Sequence, residues 1–364
     1  MYSLIFLGIP SLLATFIFEF LSVQMYVFSE TTIPYAFVIL RFAHIIPSFL
    51  FAYVSDKNYR KGALLTSHLL GLFAVGLMYI FGLNFWVFLC IALIFNPLSV
   101  ARASLLDNFP HYSPLKLMSI VFIVKFIPWL LLGLFHQYFI TGNLLNITVI
   151  LFFINSGLIA FFFQDKKDIF SHSKVISPSD FFHSLKGKIV FIVLAFILSQ
   201  SPIRIAWERI YVETQSTWIW ISSFSISLIV GSASAMLYKR LPHLSMITLT
   251  YVVGFCMMIL SLFEHQFGIF QSFPHIMSYY CVIGGLSLPF FADAVIGMFG
   301  SQKKALGAVM IDLSDSCALV IAAFMTHFVI SSFYGEIFYS LLFFFFAIFL
   351  QKHVEIHGQK ILEK

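Results

Sequence analysis

The sequence predicts an all-α membrane protein, with twelve transmembrane helices arranged as two pseudo-repeated six-helix bundles. Three observations carry that expectation. Of 364 residues, 60% are hydrophobic and only 10% are charged, where a soluble domain carries about 25% charged residues. Apolar runs long enough to span a bilayer recur along the whole chain. Lysine and arginine fall on alternate inter-run loops. The net charge of +5 therefore belongs to short loops, and nucleic-acid binding is not implied.

A span needs roughly 20 apolar residues. Twelve runs meet this, at approximately 3–28, 32–54, 62–82, 84–106, 116–138, 143–164, 188–210, 215–237, 243–263, 274–298, 304–330 and 334–351. The first begins Met-Tyr-Ser, with no basic region and no small-residue cleavage site, and reads as a retained helix. Gly82-Leu83-Asn84 separates the third run from the fourth, and a turn at 214–217 separates the seventh from the eighth. Pro128 predicts a kink in the fifth.

The charges test this count. With the N-terminus inside, 16 of the 21 cations lie on one side. They are Lys57, Arg60 and Lys61; Lys116; Lys166, Lys167, Lys174, Lys186 and Lys188; Lys239 and Arg240; Lys303 and Lys304; and Lys352, Lys360 and Lys364. The opposite loops, Ser29 to Thr32, Gln137 to Asn143 and Glu264 to His275, contain no Lys or Arg. Cytoplasmic loops retain Lys and Arg, so both termini are expected on the cytoplasmic side, in a bacterial inner membrane.

The longest polar stretch, Gln164 to Lys188, divides the chain. Residues 1–164 form the expected N-terminal bundle, 165–187 the cytoplasmic linker, 188–351 the C-terminal bundle and 352–364 the tail. Six plus six is the arrangement of transporters built from repeated halves. A faint repeat agrees: Asp107 precedes the basic start of the fifth run as Asp293 precedes that of the eleventh.

Ionisable groups inside spans are costly and mark function or a structural pair. Five cations lie there, Arg41, Arg102, Lys125, Arg204 and Arg209, with Glu19, Asp107, Glu208, Asp312 and Asp315 as possible partners. At 1.5 Å rise per residue, Glu19 and Arg41 fall at similar depth and can pair, with His44 one turn on. Asp312 and Asp315 share one helix face. Two carboxylates this close in a low dielectric should not both stay ionised, so one would carry a proton. Lys125 can pair with an acid or receive an anion, and Arg204 can satisfy Glu208 one turn away. Each of these can equally be a packing pair. The cysteines (Cys90, Cys256, Cys281, Cys317) and the dispersed histidines have no metal-like spacing, and no Gly-rich phosphate cradle is present. No cofactor or metal is expected.

The stretch from Ala52 to Gly62 places an acid at the end of one run, a cation after it, and Arg-Lys-Gly at the start of the next. It resembles the loop between helices 2 and 3 of major facilitator superfamily transporters. That signature is Gly, three residues, Asp, Arg or Lys, a spacer, then Gly, Arg, Arg or Lys. Asp56, Lys57, Arg60 and Lys61 match it; Ala52 and Tyr59 stand where the glycines usually are. The resemblance implies that Asp56 and Arg60 pair with Asp107 at the end of helix 4 and with the start of helix 11, closing the cytoplasmic side. There are departures. Val87 to Ile94 holds no early helix-4 arginine, and residues 125–133 lack the Gly-Pro signature of antiporters. The implied function is proton-coupled, alternating-access transport of a small organic solute by a monomer in the lipid bilayer. Arg41, Lys125 and Arg204 favour an anionic or zwitterionic solute. The alternatives are a transporter-like sensor or assembly partner without transport, and a membrane-embedded transferase.

Overall fold

Within lipid, every backbone N–H and C=O must find its partner inside the segment, so apolar runs of this length fold as helices. The structure is a computed structural model that describes residues 2–32, 36–57, 59–140, 144–163, 187–213, 217–238, 243–264, 273–299, 303–330 and 332–362. No strand occurs among them. In chain order the helices are α1 (Tyr2–Thr32), α2 (Ala36–Ala43), α3 (Ile45–Asp56), α4 (Arg60–Phe81), α5 (Phe85–Ile94), α6 (Leu98–Asn108), α7 (Pro114–Ile140) and α8 (Leu144–Phe162). They continue as α9 (Lys188–Glu213), α10 (Thr217–Ala235), α11 (His243–Glu264), α12 (Phe273–Phe299), α13 (Lys304–Phe324) and α14 (Phe333–Leu362). Among the described residues, eleven stretches are long and apolar enough to cross a membrane, and Ile219–Ala235 is a shorter apolar helix. The chain is thus an integral, multi-pass membrane protein. Phe73, Phe153, Phe161 and Phe349 stand exposed on its flanks, which gives part of the high phenylalanine content a lipid-facing role.

Several expected boundaries move. The run 32–54 is interrupted at His44, between α2 and α3. Pro47 has no N–H to give the carbonyl of Ala43. The run 84–106 is interrupted at Phe95–Pro97, where Phe95 is extended (φ −126°, ψ 111°). The two breaks meet: Asn96 Nδ2 donates to the His44 carbonyl at 2.9 Å, while its Oδ1 accepts from Leu98 N–H at 3.1 Å and caps α6. Helix α7 runs on through Pro128, and its non-helical residue is Phe135 (φ −129°, ψ 31°), not the proline. Ser29 to Thr32 belongs to α1, and α14 continues beyond 351 to Leu362. Residues 164–186, which hold most of the expected linker, lie outside the described residues, as do Asn58, Lys239, Arg240 and 265–272.

Helix α1 packs on α6, α7 and α8, and α4 on α8 and α5. Later in the chain, α9 packs on α13 and α14, and α11 on α12 and α14. The early and late helices meet along two seams: α7 against α10 and α12, and α13 against α2, α3 and α6. Helices α10 and α12 approach each other closely. A Cβ at Gly231 would lie 2.0 Å from the Val282 carbonyl oxygen, and one at Gly285 would lie 2.6 Å from that of Leu228. Backbone cannot yield as a side chain does, so Gly231→Ala should destabilise the protein by about 3 kcal/mol or more. Gly297→Ala, where a Cβ meets open space, should leave stability unchanged. Thermal melts followed by tryptophan fluorescence will compare the two, and equal melting temperatures would refute the close-approach argument.

Candidate functional site

Three layers of polar and aromatic side chains cross the seams. The first joins the end of α3, the start of α4 and the end of α6 to the start of α13. The first backbone N–H groups of a helix have no intrahelical partner and carry partial positive charge. Lys303 provides α13 with no side-chain cap. Asp56, at the end of α3, fills that place from across the seam. Its Oδ1 accepts from Ala305 N–H at 3.1 Å and its Oδ2 from Leu306 N–H at 2.9 Å. Arg60 Nη1 donates to Asp56 at 3.2 Å and to Ser55 Oγ at 3.0 Å. The Arg60 Nε lies 2.5 Å from Asp107 Oδ2, and Lys304 Nζ donates to Asp107 Oδ1 at 2.7 Å. Asp56, Arg60 and Asp107 are all buried. Two residues grouped with them by sequence stand apart: Lys57 lies over the Tyr53 ring, 4.1 Å from its centroid, and Lys61 donates to the Ala160 carbonyl at 2.8 Å.

The second layer lies deeper. Nine residues of α13 separate Leu306 from Asp315, about 13 Å at the helical rise. Asp315 is contacted directly by Arg204 of α9, and Lys125 Nζ of α7 lies 3.2 Å and Arg41 Nη2 of α2 3.7 Å away. Glu19 of α1 completes the cluster. It is fully buried, 3.5 Å from Arg41 and 3.9 Å from Lys125, and it accepts from Trp129 Nε1 at 3.1 Å. Arg41 Nη1 also donates to Ser22 Oγ at 3.2 Å.

Here the expectation of an Asp312–Asp315 pair with one proton between them is corrected. Asp312 turns instead to Arg102 of α6, whose Nη1 donates to it at 2.7 Å and to the Ala308 carbonyl at 3.3 Å. Each carboxylate faces its own cations, on different helices. Arg102 is completely buried; the sequence placed it among the membrane cations but gave it no specific partner. Arg204 contacts Asp315; its expected partner Glu208 lies, with Arg209, outside the residues whose side chains are described. His44 does not join Arg41 on a shared salt bridge. Its Nδ1 lies 3.0 Å from the Phe95 carbonyl, which only accepts, so Nδ1 carries a hydrogen. His44, Arg41, Asp312 and Ser316 border a void of about 10 Å³, room for roughly one water.

The third layer is aromatic. Tyr26 of α1 and Trp129 of α7 have ring centroids 5.4 Å apart, and Trp129 meets Trp207 of α9 at 5.2 Å; Phe37 of α2 lies 5.1 Å from Tyr26. All these contacts are edge-on, the favoured geometry for ring quadrupoles. Between this layer and the charges lies a cavity of about 30 Å³, bordered by Arg41, Lys125, Arg204, Asp315 and Gln200 and by apolar side chains. Among the described residues, no group of three or more His, Cys, Asp or Glu side chains is placed to hold a metal.

No family model matches the chain, and no curated protein matches it. Solved structures do. The E. coli fucose:proton symporter superposes with a TM-score of 0.75 at 12% identity, over 97% of this chain and 98% of that one. FucP, the same protein, described as a major facilitator superfamily transporter, gives 0.69 at 14% identity in the outward conformation, over 95% and 98%. A human organic anion transporter gives 0.69 at 13% identity, over 96% and 98%. Identities this low speak for architecture alone, and the architecture is plain: the chain has the fold of the major facilitator superfamily transporters.

Proposed function

We propose that the chain is a secondary active transporter that carries a small organic anion or zwitterion by alternating access, with a proton moving through the same central cluster. One observation carries the reading. A cavity deep among the helices is walled by Arg41, Lys125, Arg204 and Asp315, with an ionic layer on one side and an aromatic layer on the other. Buried charges of this kind are expensive to keep for stability alone. The neighbours of like fold include a proton symporter and an organic anion transporter, which supports the same reading.

In the proposed cycle the moving halves are residues 1–164 and 188–351, joined by 165–187, with 352–364 as a tail. They rock along the two seams. The layer of Asp56, Arg60, Asp107 and Lys304 is the cytoplasmic latch, because the Lys- and Arg-rich loops lie at that end. Both termini are then cytoplasmic, and the protein works as a monomer in a bacterial inner membrane. Asp315 occupies the cations in the empty protein. An arriving carboxylate competes for them, and an Asp315 stripped of cations in a low dielectric takes up a proton. Solute and proton are thereby bound together. Arg102 and Asp312, a separate pair, hold α6 against α13.

Two outcomes follow. In proteoliposomes holding a pH dye, a transported anion should drive proton movement in the native chain. Asp315→Asn should abolish that proton movement while labelled solute still exchanges, and Glu19→Gln should weaken it. Solute exchange by the native chain with no pH change would sink the coupling. The latch makes a second prediction. Hydrogen bonds to charged groups contribute about 1.5–3 kcal/mol each, so Asp56→Ala should shift the conformational balance at least about tenfold toward states open at that end. A cysteine placed by Ala308→Cys, in a background lacking the native cysteines, would report this as faster maleimide labelling. An unchanged rate would rule out a latch at Asp56.

A further inference from the structure

The cavity says more about the solute than its sign. Among the described residues the central cluster holds three cations, Arg41, Lys125 and Arg204, against two acids, Glu19 and Asp315. With both acids ionised one positive charge is in excess, and a solute of one negative charge balances it as it binds; the proton that Asp315 then takes up returns the site to the charge it has when empty. A zwitterion would leave the excess in place and the proton would double it, while a dianion would overshoot it on binding.

The acids offer no seat for an ammonium group. Glu19 is fully buried behind Trp129, Arg41 and Lys125 and does not border the cavity. Asp315 borders it but already faces three cations. Away from the charges the wall is apolar, with Phe122, Phe126, Trp129, Trp207, Leu228 and Leu288. One further polar group interrupts it. Gln200 is 5% exposed, and its Nε2 is a buried donor with no partner. A buried donor left unmatched costs about 1–3 kcal/mol, which an acceptor oxygen on the bound solute would recover.

We infer that the cavity selects a monocarboxylate with a short apolar body, its carboxylate on Arg204 and Lys125 and an oxygen accepting from Gln200. The assignment rests on the transport reading for its physiological meaning, but the binding itself can be tested without transport. Gln200 is then the residue that tells a carboxylate from an apolar molecule of the same shape, while the three cations set its charge.

The test uses the full-length chain in detergent, titrated with four probes: butyrate, succinate, leucine and butyramide. Binding is read from tryptophan fluorescence, since Trp129 and Trp207 border the cavity, and from thermal stabilisation. Butyrate should bind saturably, with the other three at least about tenfold weaker. Gln200→Leu, which keeps the volume and removes the donor, should weaken butyrate about tenfold while the unliganded protein melts no lower than the native chain. Tighter binding of succinate or leucine would overturn the assignment, as would Gln200→Leu binding butyrate like the native chain. Should Gln200→Leu fail to fold, Gln200→Glu serves instead: its added negative charge should abolish butyrate binding, and retained binding would refute the placement. Butyrate bound but not carried by proteoliposomes would sink the transport reading and leave the assignment standing. Leucine both bound and carried would do the reverse.

Discussion

A carboxylate inside a hydrocarbon slab is tolerated only beside a cation, and here the cations come from the far side of a seam. Asp315 on α13 meets Arg204 from α9, but also Arg41 from α2 and Lys125 from α7. Removing one member of such a cluster leaves the remainder uncompensated, at a cost of several kcal/mol. The helices are therefore not free to slide past one another with the cluster intact. Any rearrangement of the seam must supply Asp315 and its cations with new partners, and in the proposed cycle those are the solute and a proton.

The two layers flanking the cluster rest on different physics. Towards the basic loops the contacts are ionic and helix-terminal, directional and sensitive to the entry of water. On the other side they are edge-on aromatic contacts, individually about 0.5–1.5 kcal/mol beyond their burial and tolerant of small shifts. In the proposed transporter this makes one end an all-or-none latch and the other a softer seal. The aromatic layer is also tied to the charges: Trp129 both packs on Trp207 and donates to Glu19. Opening that end would disturb the hydrogen bond that helps hold Glu19 in place.

Much of this architecture was legible in the residues. Composition and loop charge set the class of protein, because the bilayer permits few solutions for an apolar chain. The stretch around Asp56 and Arg60 marked the ionic layer, because a local motif has a local geometry. Depth counting brought Glu19 beside Arg41. Beyond the contacts that the Asp56–Arg60 motif implies, pairings between distant helices could not be read. Asp312 and Asp315 sit one turn apart, and sequence spacing alone made them partners; the fold instead sends one to Arg102, 210 positions away, and the other to α9. Rotation about a helix axis decides between those outcomes, and neighbouring packing sets it. The breaks at His44 and at Phe95–Pro97 were missed for a similar reason: Pro47 and Pro97 were visible, but not that Asn96 would join the two gaps.

The Asp56 contact has an evolutionary side. What it grips on α13 is the backbone N–H of Ala305 and Leu306, groups that every residue except proline supplies. Side chains along the start of α13 can therefore drift without loosening this attachment, while the single carboxylate opposite them has no such latitude. Mutational pressure on this contact is one-sided. Sequence change can accumulate on one wall of the seam, and the constraint concentrates in one acidic residue on the other.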